Sequence, residues 1–110
     1  MTDRTAALEL LLAQGRDSAL LRFSLGTAYL ESNVALAVTH FRAALAFDPT
    51  YSAAWKSLGR ALVSVQDLAG AQEAFRAGIA AASQRGDVQA AKEMQVFLQR
   101  VARTLGPASS

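Results

Sequence analysis

Leu25-Gly26-Thr27-Ala28-Tyr29 and Leu58-Gly59-Arg60-Ala61-Leu62 are one segment written twice, 33 residues apart. In the same frame Arg22 falls over Trp55. Beyond the first loop the offset becomes 34: Ala37 meets Ala71, Phe41 meets Phe75, Arg42 meets Arg76, Ala44 meets Gly78 and Leu45 meets Ile79. The extra residue belongs to the loop, where Val65-Gln66-Asp67 stands against Ser32-Asn33. Glycine inside a helix costs about 1 kcal/mol relative to alanine. Two glycines at matching places therefore predict two close helix crossings, with Tyr29, Phe41, Trp55 and Phe75 filling the space beside them. A period of this length marks an array in which each unit buries its face on the next.

Working outward, alanine and leucine dominate, β-branched residues are sparse and apolar positions recur at three and four, which predicts helix throughout and no strand. Breakers divide the chain into six helices over 4–14, 18–31, 34–47, 51–65, 68–83 and 87–105. Connections of two to four residues force sequence neighbours to pack antiparallel. Asp48-Pro49 ends one helix and sets up the next. The expected organisation is a single all-α domain over residues 1–105, with Gly106-Pro107-Ala108-Ser109-Ser110 as a frayed tail.

The repeated residues resemble the tetratricopeptide-repeat family, whose signature puts an aromatic, Leu-Gly and Tyr on a first helix, then Ala, an aromatic and Ala on a second, then Pro. Here Leu25-Gly26-x-x-Tyr29, Ala37-x-x-x-Phe41-x-x-Ala44 and Pro49 carry it, as do Trp55-x-x-Leu58-Gly59 and Ala71-x-x-x-Phe75-x-x-Gly78. The resemblance implies a right-handed superhelix of helical hairpins, with repeat one over 19–50 and repeat two over 52–83. Three positions depart from it: Arg22 for the first aromatic, Leu62 for Tyr, and Ser83 where a second Pro would fall. Residues 87–105 put Gln89, Lys92 and Glu93 at signature places, so they are read as a capping helix and not as a third repeat. Its apolar stripe is Val88, Ala91, Met94, Leu98, Val101 and Leu105, with Phe97 alongside, and Lys92, Arg100 and Arg103 are expected to face water. At the other end Leu8, Leu11 and Leu12 fall under Phe41, Ala44 and Leu45, so 4–14 is read as a half-repeat or a capping helix that covers the N-terminal face.

Composition narrows the functional classes. The chain of 110 residues is 52% hydrophobic and 18% charged, which is globular, and too short for two full domains. No cysteine and a single histidine leave little from which to build a zinc site or a thiolate nucleophile, and no metal or cofactor is expected. No apolar run approaches the length of a membrane span, so a soluble protein of the cytoplasm is expected. The pI is about 9.5 although the net charge is only +2. Residues 1–50 hold four bases and five acids against seven and four in 51–110, a C-terminal surplus too small to demand nucleic acid. His40 has no activated nucleophile near it in sequence, no Gly-x-Ser-x-Gly is present and the glycines never cluster into a phosphate loop. No residue is a catalytic candidate, and His40 is expected to be a surface or half-buried helical position.

Binding is the remaining class. In the resembled family the first helices of successive repeats line a concave groove that grips a peptide, and here that groove implies Leu20, Phe23, Thr27, Leu30 and Glu31, followed by Lys56, Arg60 and Ser64. Lys56 and Arg60 stand i, i+4 and suit an acidic stretch. Phe23 suits either groove or core, because its neighbour Arg22 occupies the usual aromatic place. Some members grip the acidic C-termini of heat-shock chaperones through a lysine and asparagines; the matching residues are Phe23, Thr27 and Ser57, so that recognition does not carry over. The expectation is a small adaptor for an unidentified protein or peptide. The alternative is a self-association unit dimerising through 87–105. Nucleic-acid binding through Arg85, Lys92, Arg100 and Arg103 ranks below both, since the few aromatics are committed to packing.

Overall fold

The structure, a computed structural model, describes residues 4–106. Six helices follow in order: α1 Arg4–Ala13, α2 Ala19–Tyr29, α3 Val34–Phe47, α4 Ser52–Ser64, α5 Leu68–Arg85 and α6 Val88–Leu105. No strand occurs among the described residues. Side chains start most of these helices. Ser18, Asn33, Asp67 and Asp87 each accept a hydrogen bond from the backbone N–H three residues on, at 3.0–3.1 Å, satisfying a donor that the first turn would otherwise leave free. α5 runs two residues past its expected end. With Ser83 in place of proline nothing stops it until Gly86, whose φ of 74° is the left-handed closure. Gly106 closes α6 by donating to Ala102 O and Arg103 O; the rest of the expected frayed tail, 107–110, lies outside the described residues.

α2 packs on α3, α4 on α5 and α5 on α6, with α3 on α4 and α1 on α2 joining the hairpins into a row. The extents of 50 × 30 × 19 Å fit helical hairpins laid side by side. Both expected crossings are close ones. A Cβ added to Gly26 would stand 2.5 Å from Cε1 of Phe41, and one added to Gly59 would stand 2.6 Å from Cζ of Phe75, well inside van der Waals contact. Both rings are fully buried, with Leu25 and Met94. The glycine on the first helix thus makes room for the aromatic on the second, twice.

α6 joins by the same device. A Cβ on Gly78 would meet Sδ of Met94 and, at 2.6 Å, Cβ of Trp55. Gly78 therefore lets α6 and α4 approach α5 together, and α6 also contacts α4 directly. Met94 and Val101 are buried by this packing, a gain of roughly 1.5–3 kcal/mol for each side chain. α6 consequently lies against α5 and beside α4. α1 differs: it packs on α2 and buries none of its residues.

Candidate functional site

α4 and α6 present facing rows. Lys56, Arg60 and Ser64 recur every four residues along α4, and Glu93, Phe97, Arg100 and Thr104 follow one another along α6. Lys56 Nζ lies 2.8 Å from Oε1 of Glu93. That ion pair, reinforced by Gln89, holds the Glu93 carboxyl below its ordinary range. One turn on, the Arg60 guanidinium lies over the Phe97 ring at 5.2 Å from the centroid, and Arg100 lies at 5.8 Å from the same centroid. Phe97 in turn stacks on Phe75 at 5.5 Å. Beyond Phe97 the rows part. A cleft of about 740 Å³ opens between the end of α4, the start of α5 and the C-terminal half of α6, lined by Arg60, Ser64, Phe75, Phe97, Arg100 and Thr104 among others.

The remaining expected groove residues are distributed differently. Phe23 is half-buried and packs against the core, its ring 5.0 Å from Tyr51 and 5.8 Å from Phe41. Leu30 also packs against the core. Thr27 is half-buried and returns its hydroxyl to Phe23 O at 3.0 Å. Leu20 and Glu31 are exposed, Leu20 to 66%. Arg60 and Ser64 are therefore the two of the eight that line the cleft, and the Ser64 hydroxyl is used on Ala61 O at 2.7 Å.

This chain is 50% identical over 97 residues to TPR repeat-containing protein PA0015 of Pseudomonas aeruginosa, spanning 87% of this chain and 92% of that one. The chain belongs to the tetratricopeptide-repeat family. It is also similar to protein BPP2914 from Bordetella parapertussis, whose solution structure superposes with a TM-score of 0.82 at 54% identity, covering 94% of this chain and 91% of that one. No protein-family model matches the chain.

The tetratricopeptide repeats differ most at their first signature place. Trp55 ties back to the preceding loop, Nε1 donating to Pro49 O at 2.8 Å. Arg22 ties back in the same direction with a bidentate pair to Asp17, both bonds at 2.8 Å. Its other nitrogen, Nη1, lies 3.2 Å from Nδ1 of His40. A guanidinium only donates, so Nδ1 accepts and the ring is neutral with its proton on Nε2. Burial, and then the Arg22 charge, hold the His40 pKa below its ordinary 6.5. Tyr29 stacks on that imidazole at 5.6 Å and donates to Glu9 of α1. His40 is thus buried, 6% exposed, and not the surface or half-buried residue expected. Inside, its Nδ1 has the Arg22 guanidinium as a partner.

Phe97 and Arg100 are among the cleft residues that sequence reading left out of the groove. Their signal, an aromatic and a cation three apart on one helix, becomes informative only when α6 is placed beside Arg60. Among the described residues no group of three or more His, Asp or Glu is placed to hold a metal ion, and no helix is long and apolar enough to cross a membrane.

Proposed function

We propose that this tetratricopeptide protein is a small cytoplasmic adaptor that seats a segment of a partner protein in the cleft between α4 and α6. The observation that carries this reading is the cleft itself: about 740 Å³ of space, with the half-buried Phe97 ring among its lining and Arg60 and Arg100 beside it. An apolar floor with a few convergent polar groups is the usual character of a binding pocket. Its walls are helices, so the site exists before the partner arrives and little ordering entropy opposes binding. No activated nucleophile or acid–base pair faces the cleft, and recognition rather than catalysis suits the residues present.

A photo-reactive amino acid installed at Thr104, on the cleft, and separately at Thr39, exposed on α3, tests this in cells. Partner adducts are expected from position 104 and not from 39. Equal adducts from both, or adducts from 39 alone, overturn the assignment. Self-association through 87–105 draws less support, because Met94 and Val101 of that stripe are buried within the chain and only its ends, Val88 and Leu105, stay exposed. A mass near 11.6 kDa in sedimentation at micromolar concentration would reject it.

A further inference from the structure

Two features of the cleft together select a ligand. Arg60 and Arg100 both lie on Phe97. Among the described residues neither guanidinium donates to another side chain, so its N–H donors remain for a carboxylate, which a guanidinium can grip in bidentate fashion. Among the described residues Arg22, Lys56 and Arg85 each have a carboxylate partner, and neither Arg60 nor Arg100 does. An anion shared between the two gains charge-assisted bonds from both. The second feature is apolar: Val63 and Leu68 add accessible aliphatic surface to that of Phe97 in the cleft.

We propose that the cleft takes an acidic segment of a partner protein that also carries an aromatic or large aliphatic side chain. A carboxylate bridges Arg60 and Arg100 while the apolar group enters over Phe97. This rests on the reading of the cleft as the partner site. Glu93 gives the segment a direction. At the other end of the same rows its carboxylate already neutralises Lys56, so an acidic run extends from Arg60 toward Thr104 and away from Lys56.

The test is a titration of the isotopically labelled full chain, followed by amide chemical shifts at physiological salt, with three hexapeptides: Ser-Glu-Phe-Glu-Glu-Gly, its counterpart with glutamines, and its counterpart with lysines. The acidic peptide is expected to shift amides of 60–66 and 97–104 and to bind about tenfold tighter than the glutamine peptide, with the lysine peptide weakest. Arg60→Gln and Arg100→Gln are each expected to weaken the acidic peptide about fivefold, and Lys56→Gln to leave it within about twofold. Dispersed spectra show that each variant is folded. Equal affinity for the acidic and glutamine peptides, or unchanged affinity in both arginine variants, overturns the acidic assignment, and shifts at the cleft in that case still support the partner site. Shifts elsewhere only, or none with any peptide at millimolar concentration, overturn both.

Discussion

The hairpins α2–α3 and α4–α5 share a crossing and differ in what surrounds it. In each, a glycine on the first helix admits a buried phenylalanine from the second. Around the crossing, repeat two is apolar, with Trp55, Leu62 and Ala74, where repeat one carries Arg22, Tyr29 and His40 in a hydrogen-bonded belt. The turns differ by one residue across equivalent acceptors: Asn33 N–H donates to Tyr29 O, whereas Asp67 N–H donates to Leu62 O, with Gln66 taken up at a φ of 64°. Steric fit at the crossing is what the two copies hold in common. The belt accepts either chemistry, provided that each polar group finds a partner.

If the crossings are equivalent, the largest losses come from emptying them. Phe41→Ala and Phe75→Ala should each cost about 3–5 kcal/mol in urea denaturation, and a loss under about 1 kcal/mol from either one would break the equivalence. Filling the glycine comes next. Gly26→Ala and Gly59→Ala each gain about 1 kcal/mol of helix propensity, but the new methyl meets a buried ring that has nowhere to move. A net loss of about 1–2 kcal/mol is expected, and a rise in stability would refute the close approach.

Acid should separate the two repeats. His40 is held neutral in the fold, below its ordinary pKa, by burial first and by Arg22 second. Arg22, Asp17, Glu9 and Tyr29 are the charged and titratable groups around it. Protons then favour the unfolded chain, so stability is fully present above the unfolded pKa and is lost as pH falls through it. The melting temperature should drop between about pH 7.5 and 5.5, and His40→Ala, which installs the counterpart of Ala74, should flatten that drop. Asp17 and Asp48, both held below their ordinary range by hydrogen bonds from Arg22 and Thr50 respectively, add a second fall at more acid pH. A wild-type profile flat to about pH 5.5 would show that the imidazole is not neutral in the fold. The smallest effect is at the turn. Gln66→Gly relieves a left-handed residue at an entropic cost, for a net gain of about 0.5 kcal/mol by thermal melting; a loss would mean that the Gln66 side chain stabilises the turn.

The hairpins were legible because their determinants are local and occur twice: Gly26 with Phe41 and Gly59 with Phe75 fix both partners of a crossing within about fifteen residues. α6 was legible as an amphipathic helix from its apolar stripe, but its position was not. Glu93 stands where repeats keep glycine, which argued against a third repeat without showing that its carboxylate meets Lys56, 37 residues away. The cleft depends on that placement, so α4 alone points to Arg60 and Ser64, which line it, and not to Phe97 and Arg100 of α6, which line it too. His40 was misjudged because its neighbours decide its burial, although Arg22 at a tryptophan place was the available sign. The ties of Arg85 to Asp48 and Thr50 likewise span 35 residues or more and follow no spacing rule.

α1 packs on α2 yet encloses none of its own side chains. A segment attached on one side only opens at lower free energy than the parts it shelters. Its amides should exchange with solvent ahead of those in α3 or α5, and the hairpins behind it should hold while it lifts away. Because α1 packs on α2, its departure would leave the α4–α6 end of the molecule undisturbed.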